Sequence, residues 1–374
     1  MFRRFIMLLV FVFVVNVSVK SYASPDVSAR SAIVIENTTG RVLYEKNSKE
    51  KLPMASTTKI MTALCAIENS QTWKAVKVDD RAVGIEGSSV YLTHGEVITM
   101  EELIYATMLN SGNDAATAIA YEISGSVEGF AKLMNSTAKK IGAKNTNFVN
   151  ACGLWEKEHY TTAHDLALIS AYALKNPTFA KIVSTKKKTI SNGDKDYDRI
   201  LSNHNKLLSS YPGCIGVKTG YTKKCGRCLV SAARRDGVTL TCVTLNAPDD
   251  WNDHKNLLDN GFSKVKSVIV AKSGDYAASV CVKNGMQKTC PLEFSNDLSS
   301  LEFFEKETNA NLRFKLPQTI EAPIMAGESI GMAEVVIDGK IVASVGLVSS
   351  VSVAQKPMVK RSVFWENIKK YLKF

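Results

Sequence analysis

Apolar positions recur with two different periods along this chain, and the periods sort its elements. Ala32-Ile-Val-Ile-Glu36 and Arg41-Val-Leu-Tyr-Glu45 flank Asn37-Thr-Thr-Gly40, which predicts a β-hairpin with a four-residue turn. Beyond Pro53 the period changes. Ile60, Met61, Leu64 and Ile67 fall at helical spacing in a stretch that begins near Ser56. Thr99 and Glu102 form the S/T-x-x-E pattern of a capping box, opening a helix that runs to about Asn110. Further helices are expected from about Val127 to Ile141, closed by Gly142, and from Thr162 to Leu174. Strands return from Ile215 in the runs GVKTGYT, CLVSAA and VTLTCVTLNA, and a last helix covers about Asp253 to Leu258. From 265 to 352 short β-rich runs alternate with Gly and Asn turns, including a hairpin at Asp338-Gly339, so that region reads as all-β with a boundary near 264.

Composition narrows the class. With 374 residues, 45% apolar and 22% charged, the chain is long enough for a sizeable core and unlike a disordered or polytopic membrane protein. The net charge of +11 invites a nucleic-acid reading, but its distribution argues otherwise. Residues 1–23 carry +3 and residues 356–374 carry +5, leaving +3 over 24–355. A central region that mild has no strong electrostatic claim on nucleic acid. Both charged ends fit a membrane instead. Arg3 and Arg4, the apolar run Phe5 to Val15 and Ser21-Tyr22-Ala23 follow the three-part pattern of a secretory signal, with cleavage expected after Ala23. An uncleaved anchor is the alternative, although the run is short for a span of ~20 residues.

In the tail, VFWENIKKYLKF puts Phe364, Ile368, Tyr371 and Leu372 roughly on one side of a helix and Lys369, Lys370 and Lys373 towards the other. That suits an anchor over residues 353–374 lying on an anionic membrane surface, against the alternative of a helix docked on its own β region. The expected location is then the extracytoplasmic face of a cell membrane. Outside the cytoplasm disulfides are allowed, and Cys281 and Cys290 could close a small loop. Cys225-Gly-Arg-Cys228 resembles half of a redox or zinc site but has no second ligand pair, so a structural role is expected. No metal and no cofactor is called for.

Three short elements carry candidate chemistry. Ser56-Thr-Thr-Lys59 is one of five S-x-x-K tetrads, and it alone starts an apolar-periodic helix after a Pro-containing loop. There the serine meets the positive end of the helix dipole, and the i, i+3 spacing places Lys59 on its face. A neutral lysine amine could take the serine's proton. Fifty-five residues on, Ser111-Gly112-Asn113 sits at a helix end and tight turn, offering a hydroxyl and a carboxamide two residues apart. Lys218-Thr219-Gly220 lies in a strand-like stretch. A cation and a hydroxyl there suit a carboxylate, and the glycine admits substrate backbone. Each is weak alone.

In this order and spacing, the three resemble the S-x-x-K, S-x-N and K-T-G elements of the penicillin-recognising serine acyltransferases. LPMASTTKIMTAL, TMLNSGNDAATAIA and GVKTGYTKKCGRCLVSAA look like the serine-type D-alanyl-D-alanine carboxypeptidases of the peptidase S11 type, the low-molecular-mass penicillin-binding proteins. The resemblance implies an α+β architecture. A β-lactamase/transpeptidase-like catalytic domain, with an antiparallel sheet and flanking helices, would cover 24–264, followed by a small all-β domain at 265–352 and an amphipathic C-terminal helix. It implies Ser56 as nucleophile, Lys59 as general base, with its pKa lowered by Lys218 and partial burial, and Ser111 as proton relay. Asn113 would hold substrate backbone and help orient Lys59, Lys218 and Thr219 would fix the terminal carboxylate, and the backbone N–H groups of Ser56 and Tyr221 would form the oxyanion hole beside Gly220. The substrate would be a peptidoglycan stem peptide ending in D-Ala-D-Ala, and β-lactams would be inhibitors.

The chain departs from this pattern in one respect. Some relatives place a carboxylate-binding arginine after the K-T-G strand pair, where this chain reads APDDWNDHK, leaving His254 or Lys255 as substitutes, or Lys218 and Thr219 sufficient by themselves. His159 and His164 read as structural. Two rivals remain. A class A-like β-lactamase would need a glutamate about 35 residues after Asn113, where NTNFVNACGL has none, and a non-catalytic peptidoglycan-binding scaffold would need no intact motif set.

Overall fold

The computed structural model describes residues 25–193, 197–305 and 307–357. The export signal and the cationic helix predicted for the two ends lie outside the described residues. Strand β1 (Ser31–Glu36) pairs antiparallel with β2 (Val42–Lys46), as the sequence predicts. A 3-10 turn over Ala55–Thr58 leads into α1 (Lys59–Asn69). Strand β3 (Ala75–Lys77) pairs with β4 (Val97–Thr99), and the loop between them meets Asn113 and Asp114. Helix α2 (Met100–Leu109) opens on the expected capping box, with the Thr99 hydroxyl accepting from Glu102 N–H and the Glu102 carboxylate from Thr99 N–H. Such a pair is worth ~1 kcal/mol. Then come α3 (Asn113–Ser124), α4 (Val127–Ile141), α5 (Ala163–Ala173) and α6 (Pro177–Ser184). The hairpin of β5 (Lys187–Ile190) and β6 (Arg199–Ser202) and the short α7 (Leu207–Ser210) follow. Strands β7 (Cys214–Thr222), β8 (Gly226–Arg235) and β9 (Val238–Leu245) precede α8 (Asp250–Phe262).

These elements build a five-stranded antiparallel sheet in the order β2-β1-β9-β8-β7. One face packs on the helices α1 to α6 in a continuous core that includes Ile33, Ile60, Leu64, Leu103, Ile119, Phe130, Val230 and Val243. Helix α1 is buried from Lys59 through Ala66, on every side, because the other helices surround it. A helix so enclosed is held by packing rather than by its own propensity. The opposite face carries α8 through Leu240, Leu257 and Leu258. The helix predicted over 253–258 is therefore longer at both ends. The helices α3 and α6 and the β5–β6 hairpin were not legible from periodicity: α3 follows a Ser-Gly-Asn turn signal directly, and the others are short.

The rest is all-β. Strands β10 (Val265–Ala271), β11 (Tyr276–Lys283), β12 (Thr289–Phe294), β13 (Leu298–Phe303), β14 (Ala310–Lys315), β15 (Thr319–Glu321), β16 (Ser329–Ile337) and β17 (Lys340–Ser349) form two sheets, β10-β13 and β14-β16-β17-β12-β11-β15. The β16–β17 turn falls at Asp338-Gly339, as expected. Residues beyond β17 still belong to this region, with Val353 bridging Ile324 and Gln355 bridging Gly285, so the pairing continues past 352. Arg41 reaches Asp338 at 2.7 Å, Lys340 donates to Thr39 O, and Leu301, Phe303 and Ile337 share a core with Val34 and Leu258. The disulfide suggested for Cys281 and Cys290 is absent. Val280 is the residue paired with Cys290, so strand alternation puts Cys281 on the exposed face and Cys290 in the core against Ser349.

Candidate active site

The three sequence elements converge on one cleft between the helical cluster and the rim of the sheet. It has a volume of about 300 Å³, and Ser56, Ser111, Thr219, Gly220 and Tyr221 line it, together with Ser88, His204, Arg227, Asp250 and Trp251. Ser56 stands on the 3-10 turn, half-buried, just before α1. Lys59 opens α1 and is fully buried. Its Nζ donates to Ser56 Oγ at 3.0 Å, to Asn113 Oδ1 at 2.7 Å and to the Cys152 carbonyl at 2.6 Å. Three acceptors aim the amine at the hydroxyl.

Asn113 begins α3, and Ser111 just before it takes a left-handed backbone (φ 60°) that turns the chain between α2 and α3. The Asn113 amide is fixed at both ends, because Nδ2 donates to Glu86 O at 2.6 Å while Oδ1 accepts from Lys59. Asp114, buried beside it, accepts from the N–H groups of Val90 and Leu92 and from the Ser89 hydroxyl. The start of α3 thereby pins the 86–92 loop over the cleft. Arg199 on β6 holds the same loop from outside, with Nε donating to Val90 O at 2.8 Å and Nη2 pairing with Glu96 at 2.8 Å.

The opposite wall is β7. Lys218 is buried and donates to Thr219 O at 3.1 Å, while Thr219 faces the cleft. Gly220 packs on the turn that carries Ser56: a Cβ built there would lie 3.0 Å from Ser56 N and 3.1 Å from Thr57 N. A side chain at 220 would force the strand and the serine's amide apart.

Burial pushes the Lys59 ammonium down to about 8, opposed more weakly by Cys152 and Asp114. Lys218 is pushed well below its ordinary value, first by burial and then by the charge on Lys59. The expected causes are thus rearranged. Lys59 is completely rather than partly buried, burial is its main depressant, and the repulsion between the two lysines weighs on Lys218, which has fewer acceptors around it.

His254 does not stand in for the missing arginine. It lies buried under α8, between Ser231 Oγ at 2.6 Å and Thr244 Oγ1 at 2.9 Å, because i, i+4 spacing puts it on the sheet-facing side with Asp250. Lys255 is not among the cleft-lining residues. His159 is structural in place but close to the chemistry. Its Nε2 lies 2.7 Å from Thr58 Oγ1, which also donates to Ala55 O, and its Nδ1 accepts from Val149 N–H. That acceptor role fixes the neutral ring with the proton on Nε2, and burial lowers its pKa to about 4. Cys225 and Cys228 are buried thiols, and burial raises Cys228 to about 12, which suits packing rather than redox chemistry. The Cys152 carbonyl, the Glu86 carbonyl and Arg227 were missed. The two carbonyls have no residue-type signature. Arg227 could have been found from hairpin register, since a turn at 223–225 sets residue 227 opposite Tyr221.

A serine hydroxyl beneath a buried amine, at the edge of an antiparallel sheet faced by helices, defines a serine hydrolase. The D-alanyl-D-alanine carboxypeptidase family, Peptidase S11, matches residues 18–249, and the C-terminal domain of penicillin-binding protein 5 matches residues 266–355. The chain belongs to the D-alanyl-D-alanine carboxypeptidase family. It is 37% identical to the D-alanyl-D-alanine carboxypeptidase DacF of Bacillus subtilis, over 84% of this chain and 83% of that one. It is 30% identical to DacC of Escherichia coli, over 90% of this chain and 84% of that one. Penicillin-binding protein 5 from Haemophilus influenzae superposes with a TM-score of 0.63 at 26% identity, covering 88% of this chain and 99% of that structure.

Proposed function

We propose that this chain removes the terminal D-alanine from peptidoglycan stem pentapeptides through an acyl-enzyme on Ser56. The observation that carries the reading is the 3.0 Å approach of the buried Lys59 amine to Ser56 Oγ. Neutral Lys59 takes the hydroxyl proton as Oγ attacks the carbonyl of the penultimate D-alanine. The backbone N–H groups of Ser56 and Tyr221 receive the oxyanion, a type of contact worth ~3–4 kcal/mol per donor. Ser111 passes the proton to the departing amine, D-alanine leaves, and water hydrolyses the ester. Lys218 and Thr219 hold the substrate carboxylate, whose charge restores the proton that burial draws from Lys218. β-Lactams acylate the same oxygen and leave slowly. Among the described residues Asp250 is the one acid lining the cleft, and its engagement with Arg227 argues against the fast carboxylate-assisted deacylation of a class A β-lactamase.

The test is release of free D-alanine from a synthetic peptide ending in D-Ala-D-Ala, with and without penicillin. Rapid steady-state penicillin turnover would favour the lactamase instead. A pH profile tests the base separately. Because the neutral amine attacks and the Lys59 value lies at about 8, acylation by a fluorescent penicillin is expected to quicken about tenfold per pH unit up to that region, then level. The apparent value belongs to the Lys59–Lys218 pair. A flat profile from pH 5.5 to 9 would remove Lys59 as the base.

Export and membrane attachment complete the proposal. They are supported by the signal-like start and by the cationic amphipathic tail. Among the described residues no helix is long and apolar enough to cross a membrane. Deleting residues 356–374 is expected to move the protein from the membrane to the soluble fraction, and unchanged retention would refute the anchor.

A further inference from the structure

We propose that Arg227, on the strand next to K-T-G, supplies the cationic fork that reads the substrate's terminal carboxylate. This rests on the carboxypeptidase reading and names the group that gives the site its carboxylate specificity. Two nearby basic groups do not serve: His254 is sequestered under α8 and Lys255 does not line the cleft. Arg227 does line it, together with Thr219, Tyr221 and Ser56. The β7–β8 register explains why. Thr219 pairs with Leu229 and Tyr221 with Arg227, so Thr219 and Arg227 project from the same face of the sheet, two positions apart along the strands.

The guanidinium is held rather than free. Its Nε donates to Asp250 Oδ1 at 2.9 Å and its Nη2 lies 2.8 Å from the same oxygen. The Asp250 side chain is 4% exposed against 40% for Arg227, so the acid is the buried anchor and the arginine the presented group. The Trp251 ring packs 5.7 Å from the guanidinium carbon. With Nε and one edge of Nη2 committed to Asp250, Nη1 is left without a protein partner among the described residues. An arginine oriented in this way can form charge-assisted bonds to a carboxylate that also accepts from Thr219 Oγ1. Asp250 and Trp251, at the start of α8, are then positioning residues for the arginine.

The experiment compares full-length wild type with Arg227→Gln and Arg227→Lys on two peptides, one ending in D-Ala-D-Ala and its C-terminal carboxamide. Wild type is expected to prefer the free carboxylate strongly. Arg227→Gln should lose about 30-fold in kcat/KM on the carboxylate peptide, as expected when one member of a charge-assisted pair is truncated. It should change little on the carboxamide, and Arg227→Lys should recover part of the preference. Thermal midpoints of all three proteins control for folding. An undiminished carboxylate preference in Arg227→Gln, or an equal loss on both peptides, would overturn the assignment of Arg227 and leave the carboxypeptidase reading standing. Failure of wild type to release D-alanine from the carboxylate peptide and D-alaninamide from its carboxamide would remove that reading, and the arginine's role with it.

Discussion

Ser56→Ala is expected to abolish both covalent labelling by penicillin and release of D-alanine, with a loss of at least about 10⁴-fold, as is usual when a nucleophile that works with a paired base is removed. The fold should survive. The substitution deletes one acceptor of Lys59 Nζ, which keeps Asn113 Oδ1 and Cys152 O, so the change in stability should stay within ~1 kcal/mol. That separation of activity from stability distinguishes a nucleophile from a packing residue. Ser111→Ala leaves Ser56 and Lys59 in place and should cost less, about 10²-fold, as expected if Ser111 is one proton-transfer group. Gel labelling with a fluorescent penicillin and a D-alanine assay read both variants. A Ser56→Ala protein that is folded and still acylated would place the nucleophile elsewhere.

Gly153→Ala is expected to damage fold and activity together, although residue 153 makes no contact with substrate in the proposed mechanism. Its φ of +88° is a backbone state that alanine adopts only at a cost of ~1–2 kcal/mol. The added methyl would lie 2.0 Å from Ala55 O and 2.5 Å from Ala55 C, both backbone atoms, and 2.9 Å from Thr58 Oγ1. Relief requires moving the 3-10 turn that presents Ser56, or the 150–153 segment whose Cys152 carbonyl holds Lys59. Overpacking of this kind adds ~1–3 kcal/mol, so a total of about 3 kcal/mol is expected. At ~2–4 °C per kcal/mol for a chain of this size, the thermal midpoint should fall by roughly 6–12 °C. Acylation should slow by about 100-fold as Ser56 and Lys59 separate, since misplacing reacting groups by ~1 Å costs that much. An unchanged midpoint with normal acylation would show that the turn tolerates displacement and that the site is not rigidly held.

Much of this was legible from residue order. The hairpin of β1 and β2, the capping box of α2, the bounds of α4 and the Asp338-Gly339 turn all rest on local signals, because cap geometry and hydrogen bonding within a few residues decide them. The three elements that converge on the cleft were legible as types at a spacing, with Ser56 and Lys59 one turn apart. Helix α3 was hidden because Ser111-Gly112-Asn113-Asp114 reads as a turn, and its first residues act as loop anchors instead of helix formers. Periodicity places His254 in a helix but does not say which face of that helix meets the sheet, so its place under α8 was not legible.

Sequence alone therefore determined which groups are present: a hydroxyl and an amine one turn apart, a second hydroxyl and an amide at a turn, a cation and hydroxyl on a strand. The tertiary structure decided what those groups can do. Enclosing α1 on all sides strips water from Lys59 and brings its pKa towards neutrality. Two backbone carbonyls that no residue type announces then orient the amine and the Asn113 amide that holds it. Strand register and a buried aspartate turn Arg227 into the cleft and leave His254 out of it. Desolvation and direction are properties of the packed chain, set by contacts between residues far apart in the sequence, so no local pattern could have carried them.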